Sequence, residues 1–121
     1  MGKDILLEES YKLIMSVVNE GYAGEVIEAA KKAGSKGAVI LGGKSFEENE
    51  RTFLGFRVHR SREIVMMLVK DEIVLPVVRS IYEVVDVVGP ANGCVMVLPA
   101  ENVAGFLSKE EIEAIAQNNK E

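Results

Sequence analysis

The sequence contains no tryptophan, a single cysteine and a single histidine. The lone Cys94 excludes an internal disulfide and points to a reducing compartment. One cysteine and one histidine cannot build a zinc site within one chain. Proline is scarce, at 3 in 121 residues, while 48% of the chain is hydrophobic, a composition that excludes disorder. Basic residues are outnumbered, with 14 Lys and Arg against 19 Asp and Glu, and the net charge of -5 argues against nucleic acid as a partner. No apolar run approaches the length of a membrane span. The start, Met1-Gly2-Lys3-Asp4, leads into nothing of signal-peptide form. These readings together predict a small soluble cytoplasmic domain.

Catalytic machinery is also missing. There is no Ser/His/Asp set, no P-loop motif and no carboxylate pair at a site that would be buried. Glu47-Glu48 stands in a polar stretch, the wrong surroundings for a general acid with a raised pKa. No enzymatic activity is expected. At 121 residues the chain makes one domain with a core of its own, too small for separate cofactor and substrate domains.

What is present is a regular alternation of apolar segments. Lys12 to Asn19 is nearly continuous apolar with a β-branched end, a buried strand. Ala23, Val26, Ile27, Ala30 and Ala33 recur at helical spacing, with Glu25, Glu28, Lys31 and Lys32 on the other face, and Gly34 stops the helix. A short strand, Ala38–Leu41, runs into Gly42-Gly43. Residues 44–60 read as a long polar loop or ribbon, of the kind that is functional on compact domains. A third strand spans Glu63–Val69. Asp71 is the expected N-cap of a second helix with Ile73, Val77, Ile81, Val84 and Val88 on one face. Pro76 demands that this helix start later or bend. Gly89-Pro90-Ala91-Asn92-Gly93 is a tight turn, and Cys94–Leu98 is the fourth strand. Ser108-Lys109-Glu110-Glu111 is a capping box for a short C-terminal helix through Ile112 and Ile115.

The order strand, helix, strand, strand, helix, strand predicts an α+β fold, a ferredoxin-like βαββαβ sandwich with an antiparallel four-stranded sheet and both helices on one face. Residues 1–11 would be an N-terminal extension, 12–107 the domain, and 108–121 a C-terminal helix or tail. The strands are apolar on both faces. Leu13, Met15 and Val17 are expected toward the helices with Ile14 and Val18 outward, and Val65, Met67 and Val69 toward the helices with Ile64, Met66 and Leu68 outward. Helices cover only one side, so the other predicts self-association. Met66-Met67 fills core or interface. Cys94 reads as a small hydrophobe rather than a nucleophile, and His59 as a solvated residue.

Three strings in this order resemble the PII family of nitrogen-regulatory signalling proteins and its PII-like relatives. They are Gly43-Lys44-Ser45-Phe46 leading into the long loop, Glu63–Val74 at the third strand and second helix, and Gly89–Val103 around the last strand. The match covers about residues 12–107. The resemblance implies a homotrimer with the sheets facing inward and a small effector, of the adenine-nucleotide type, in the clefts between subunits. It also implies a loop that carries the ligand state to a transporter, enzyme or other target. Carried over by position, the ligand-binding residues are Gly42, Gly43, Lys44, Ser45 and Phe46 with Gly89, Pro90, Ala91, Asn92 and Gly93. The partner-binding loop presents Arg51, Phe53, Phe56 and Arg57.

The family's phosphate-loop lysine is Cys94 here, and its two phosphate-gripping arginines align with Gly105 and Leu107. The backbone N–H groups of Asn92 and Gly93 are the remaining anion donors of that turn. Three missing cations, at about 1.5–3 kcal/mol for each charge-assisted hydrogen bond, predict weak or no ATP binding. Lys44, Arg51, Arg57, Arg60 and Arg62 are the cations placed to compensate. Loop 44–60 has no tyrosine, so uridylylation has no acceptor in it. Gly42-Gly43, Phe46 and Thr52-Phe53-Leu54 also resemble the cyclic-dinucleotide-binding PII-like branch, whose second inter-strand loop is longer than this chain supplies. The alternative to a sensor is a structural or assembly trimer of the same fold without a ligand.

Overall fold

The computed structural model describes residues 10–46, 52–53, 56–57, 60–86, 89–104 and 117. Residues 1–9 of the expected N-terminal extension and the capping box at Ser108 lie outside the described residues, as do Arg51, His59 and Val88, while Tyr11 already belongs to the first strand.

The fold is α+β. Chain order is β1 (Tyr11–Asn19), α1 (Ala23–Lys32), β2 (Val39–Ser45), β3 (Thr52–Phe53), β4 (Phe56–Arg57), β5 (Arg60–Lys70), α2 (Asp71–Val85) and β6 (Cys94–Ala100). Four strands form one antiparallel sheet in the order β2-β5-β1-β6, and β3 and β4 pair separately as a two-stranded ribbon. The polar 44–60 stretch is therefore partly regular: it opens in β2, carries the ribbon and closes in β5.

The two helices and one face of the sheet share a single core of Ile14, Val18, Val65, Met67 and Val69 against Val26, Ala30, Val77 and Ile81. Removing these side chains from water is the main driving force, worth about 1.5–3 kcal/mol for each full-sized one. Ser16 sits fully buried in the same row, satisfied because its hydroxyl donates to the Cys94 carbonyl at 3.0 Å.

That row corrects the expected facing of β1. Ile14, Ser16 and Val18 point to the helices, and Leu13, Met15 and Val17 point away. The pleat has a period of two, so one residue of phase exchanges the faces. A serine with an internal acceptor made the interior row look the less apolar of the two. On β5 the facing is as expected, with Val65, Met67 and Val69 inside.

Three boundaries also differ. β2 continues through Gly42-Gly43 to Ser45 because β5 starts at Arg60, earlier than Glu63, and supplies partners for all of it. Asp71 is the first helical residue of α2, not its cap, since β5 runs on through Lys70, which holds the cap position in an extended conformation. The Asp71 N–H donates to the Ser10 carbonyl at 3.0 Å, and its carboxylate pairs with Lys12 Nζ at 3.2 Å. Its charge still favours the positive end of the helix. Pro76 lies inside α2, which neither starts after it nor ends at it. The ring is exposed, and burial of Val77, Ile81 and Val85 offsets the roughly 3 kcal/mol that an interior proline costs. Val85, unlike Val84, is fully inside.

α1 ends as the sequence predicts. Gly34 takes a φ of 113°, and Gly34 and Ser35 donate to the carbonyls of Lys31 and Ala30 at 3.0 Å each. Its start is held from the sheet, where Glu63 Oε1 accepts from the Gly21 N–H at 2.5 Å and the Ala23 N–H at 3.4 Å. Among the described residues, no helix is long and apolar enough to cross a membrane.

Candidate functional site

Among the described residues, α1 and α2 both pack on the first face of the sheet and leave its second face without a helix. Cross-strand pairing lines up Leu41 with Ile64, Val39 with Met66, Met66 with Met15, Leu68 with Leu13, and Met15 with Met96. Val39, Leu41 and Met96 are 49%, 44% and 41% exposed, respectively, on an otherwise half-buried apolar surface. Cys94, exposed, belongs to the same face opposite Val17. Apolar surface continuous across four strands is unusual on a monomer.

The two glycine-bearing stretches singled out from sequence lie at one end of this sheet. Gly42–Ser45 occupy the end of β2, opposite Arg60–Glu63 of β5, with Phe46 just beyond and largely exposed. The turn 89–93 closes onto the end of β1. They occupy opposite edges, however, because β5 and β1 stand between β2 and β6. Three inter-strand spacings of about 4.8 Å separate them by roughly 14 Å. Within one chain a single side chain spans part of this gap: Arg62, which pairs with Gly43, donates to Asn92 O. Phe53, Phe56 and Arg57 fall on the β3–β4 ribbon.

Turn 89–93 is tied down from within. The Gly89 N–H donates to the Asp86 carbonyl at 2.8 Å, the Asn92 N–H to the Gly89 carbonyl at 3.2 Å, and the Gly93 N–H to the Val85 carbonyl at 3.0 Å. The two N–H groups that the sequence offers as anion donors are thus engaged within the chain, that of Asn92 on the turn and that of Gly93 on the last residue of α2. The turn's carbonyls face outward to β1 instead. Ala91 O accepts from the Asn19 N–H at 2.9 Å and Pro90 O from Asn19 Nδ2 at 3.1 Å. Asn92 takes a φ of 41°, a left-handed conformation that asparagine tolerates.

Arg62 completes this arrangement. From β5 its Nη1 reaches across to Asn19 Oδ1 at 2.9 Å and to Asn92 O at 2.7 Å. Among the described residues its buried Nε has no hydrogen-bond partner, nor has the buried Ser45 hydroxyl. Sequence reasoning placed Arg62 among five compensating cations but missed Asn19. A polar residue ending an apolar strand just before Gly21 was the available signal, and it reads equally well as the first residue of a turn. Groups of three or more metal-ligating side chains are absent among the described residues. A shallow groove between α1 and α2, lined by Gly21, Glu25, Glu28, Lys32, Glu83 and Val84 among others, belongs to the helical layer.

Compared with family models and with curated proteins, the sequence matches none.

Proposed function

We propose that this protein is a regulatory binding protein of the PII-like kind. In this reading it is a ferredoxin-like homotrimer that binds a small effector between subunits and acts on a target through residues 44–60. The strand order β2-β5-β1-β6, with the β3–β4 ribbon taken as an insertion, supports the ferredoxin-like assignment. The observation that carries the proposal is the pairing of an open apolar face with two glycine-bearing stretches at the same sheet end but on opposite edges. Copies packed through that face would bring β2 of one subunit toward turn 89–93 of the next.

The effector is a small anionic metabolite, with an adenine nucleotide as the first candidate and ATP itself bound weakly. The target is a protein such as a transporter or an enzyme in the cytoplasm, and the chain performs no chemistry and binds no nucleic acid. A thermal-shift screen of the intact protein against adenine nucleotides, cyclic dinucleotides and bicarbonate tests it. A bound effector at a hundredfold excess over Kd stabilises by about 2.7 kcal/mol, a readily seen shift. No shift with any of them favours the second reading, a structural trimer without a ligand. That reading draws on Cys94, Gly105 and Leu107 and on the internally bonded N–H groups of the turn.

A further inference from the structure

The two buried side-chain atoms without a partner among the described residues are Ser45 Oγ and Arg62 Nε. They are neighbours. Gly43 pairs with Arg62 and Ser45 with Arg60, so Ser45 and Arg62 are diagonal positions on one face of the β2–β5 pair. Diagonal neighbours lie about 7 Å apart at the backbone, within the span of an arginine side chain. Gly43, directly across from Arg62, has no side chain to fill the space, and a Cβ there would touch only Ile64 Cδ1 at 3.7 Å.

The guanidinium is half committed. Both of its hydrogen bonds leave from Nη1, and both go to neutral oxygens. On the other edge of the fork, Nε is buried and has no partner among the described residues. The adjacent acid does not serve it, because Glu63 points to the helical face, where it holds Gly21 and Ala23. A buried donor is normally paired, and the Nε–Nη2 edge of arginine presents two parallel donors matched to an oxyanion. A hydroxyl at the neighbouring position adds a third donor from the β2 side.

We propose that Ser45 and Arg62 form an oxyanion-binding pair that takes up a phosphate or carboxylate group of the effector at the end of the β2–β5 pair, where both atoms are shielded from solvent in this structure. The pair rests on the effector-binding reading of Gly42–Phe46 and supplies the cation that Cys94 does not. Arg62 thus has two roles on its two edges. Nη1 ties turn 89–93 to β1, and Nε–Nη2 receives the ligand, so that binding is felt at the turn.

The full-length protein, labelled with nitrogen-15, is titrated with inorganic phosphate and, separately, with succinate, against sodium chloride at equal ionic strength. The Nε–Hε resonance of Arg62 moves saturably with one or both oxyanions and not with chloride. Phosphate alone assigns a phosphate group, and succinate alone assigns a carboxylate. Ser45→Ala, which leaves the Nη1 bonds intact, weakens the responding anion about three- to tenfold. Arg62→Lys keeps the charge without the fork and weakens it about tenfold or more. A resonance that follows ionic strength only, or an affinity unchanged in Ser45→Ala, overturns the pair. Failure of adenine nucleotides to stabilise the protein while the phosphate response persists removes the nucleotide reading and leaves the pair standing. Nucleotide binding that ignores both substitutions does the opposite.

Discussion

Gly93 lies directly against the carbonyl of Val17, so closely that a Cβ on it would collide with that oxygen and come within 2.9 Å of Val18 Cγ1. The turn therefore seats on β1 only if residue 93 has no side chain. Gly93→Ala will lower unfolding free energy by about 2–3 kcal/mol, the range for a forced backbone shift in a packed site. Gly42→Ala, where a Cβ meets nothing within 4 Å, will change it by less than about 1 kcal/mol. Chemical denaturation of the two variants checks the contrast.

The facing of β1 gives a second contrast. Ile14 is fully buried under the helices, whereas Met15 belongs to the open face. Ile14→Ala will destabilise the fold by about 2–4 kcal/mol. Met15→Ala will act instead on association, lowering the self-association constant with a smaller effect on unfolding of the dissociated chain. Denaturation at two protein concentrations separates these effects, because only the second variant changes how the midpoint depends on concentration.

The secondary structure of β1, α1, β5 and α2 is legible in the sequence, since their apolar periodicity is long and clear. Its phase on β1 is not. Both rows of that strand are apolar, and the residue that decides, Ser16, is satisfied by a carbonyl 78 positions away. The extent of β2 was hidden for a related reason. Gly42-Gly43 carries a turn signal, and only pairing with Arg62 and Glu63 keeps the strand going. At the candidate site, the turn 89–93 was evident from its glycines and proline. The Asn19–Arg62–Asn92 connection was not, because it joins three segments distant in sequence.

Glu63 closes the start of α1 from across the sheet. Glu63→Ala removes the acceptor for two backbone donors and a negative charge at a helix N-terminus. It will destabilise by about 1–2 kcal/mol, read as a lowered melting temperature.

ATP will bind with a Kd weaker than micromolar. On the PII-like reading Cys94 takes the place of a phosphate-binding lysine, and the N–H groups of Asn92 and Gly93 are held by Gly89 and Val85. Calorimetry checks it, and a sub-micromolar Kd would mean that cations of the 44–62 stretch have taken over.

The central claim is that the open face of the sheet is covered by copies of the same chain. Light scattering of the purified protein at micromolar concentration measures this directly. The account predicts a mass of about 40 kDa, three times the 13.2 kDa chain, falling to the monomer mass in Leu41→Glu while the helical-face core keeps the chain folded. A wild-type mass of 13.2 kDa at that concentration would contradict it.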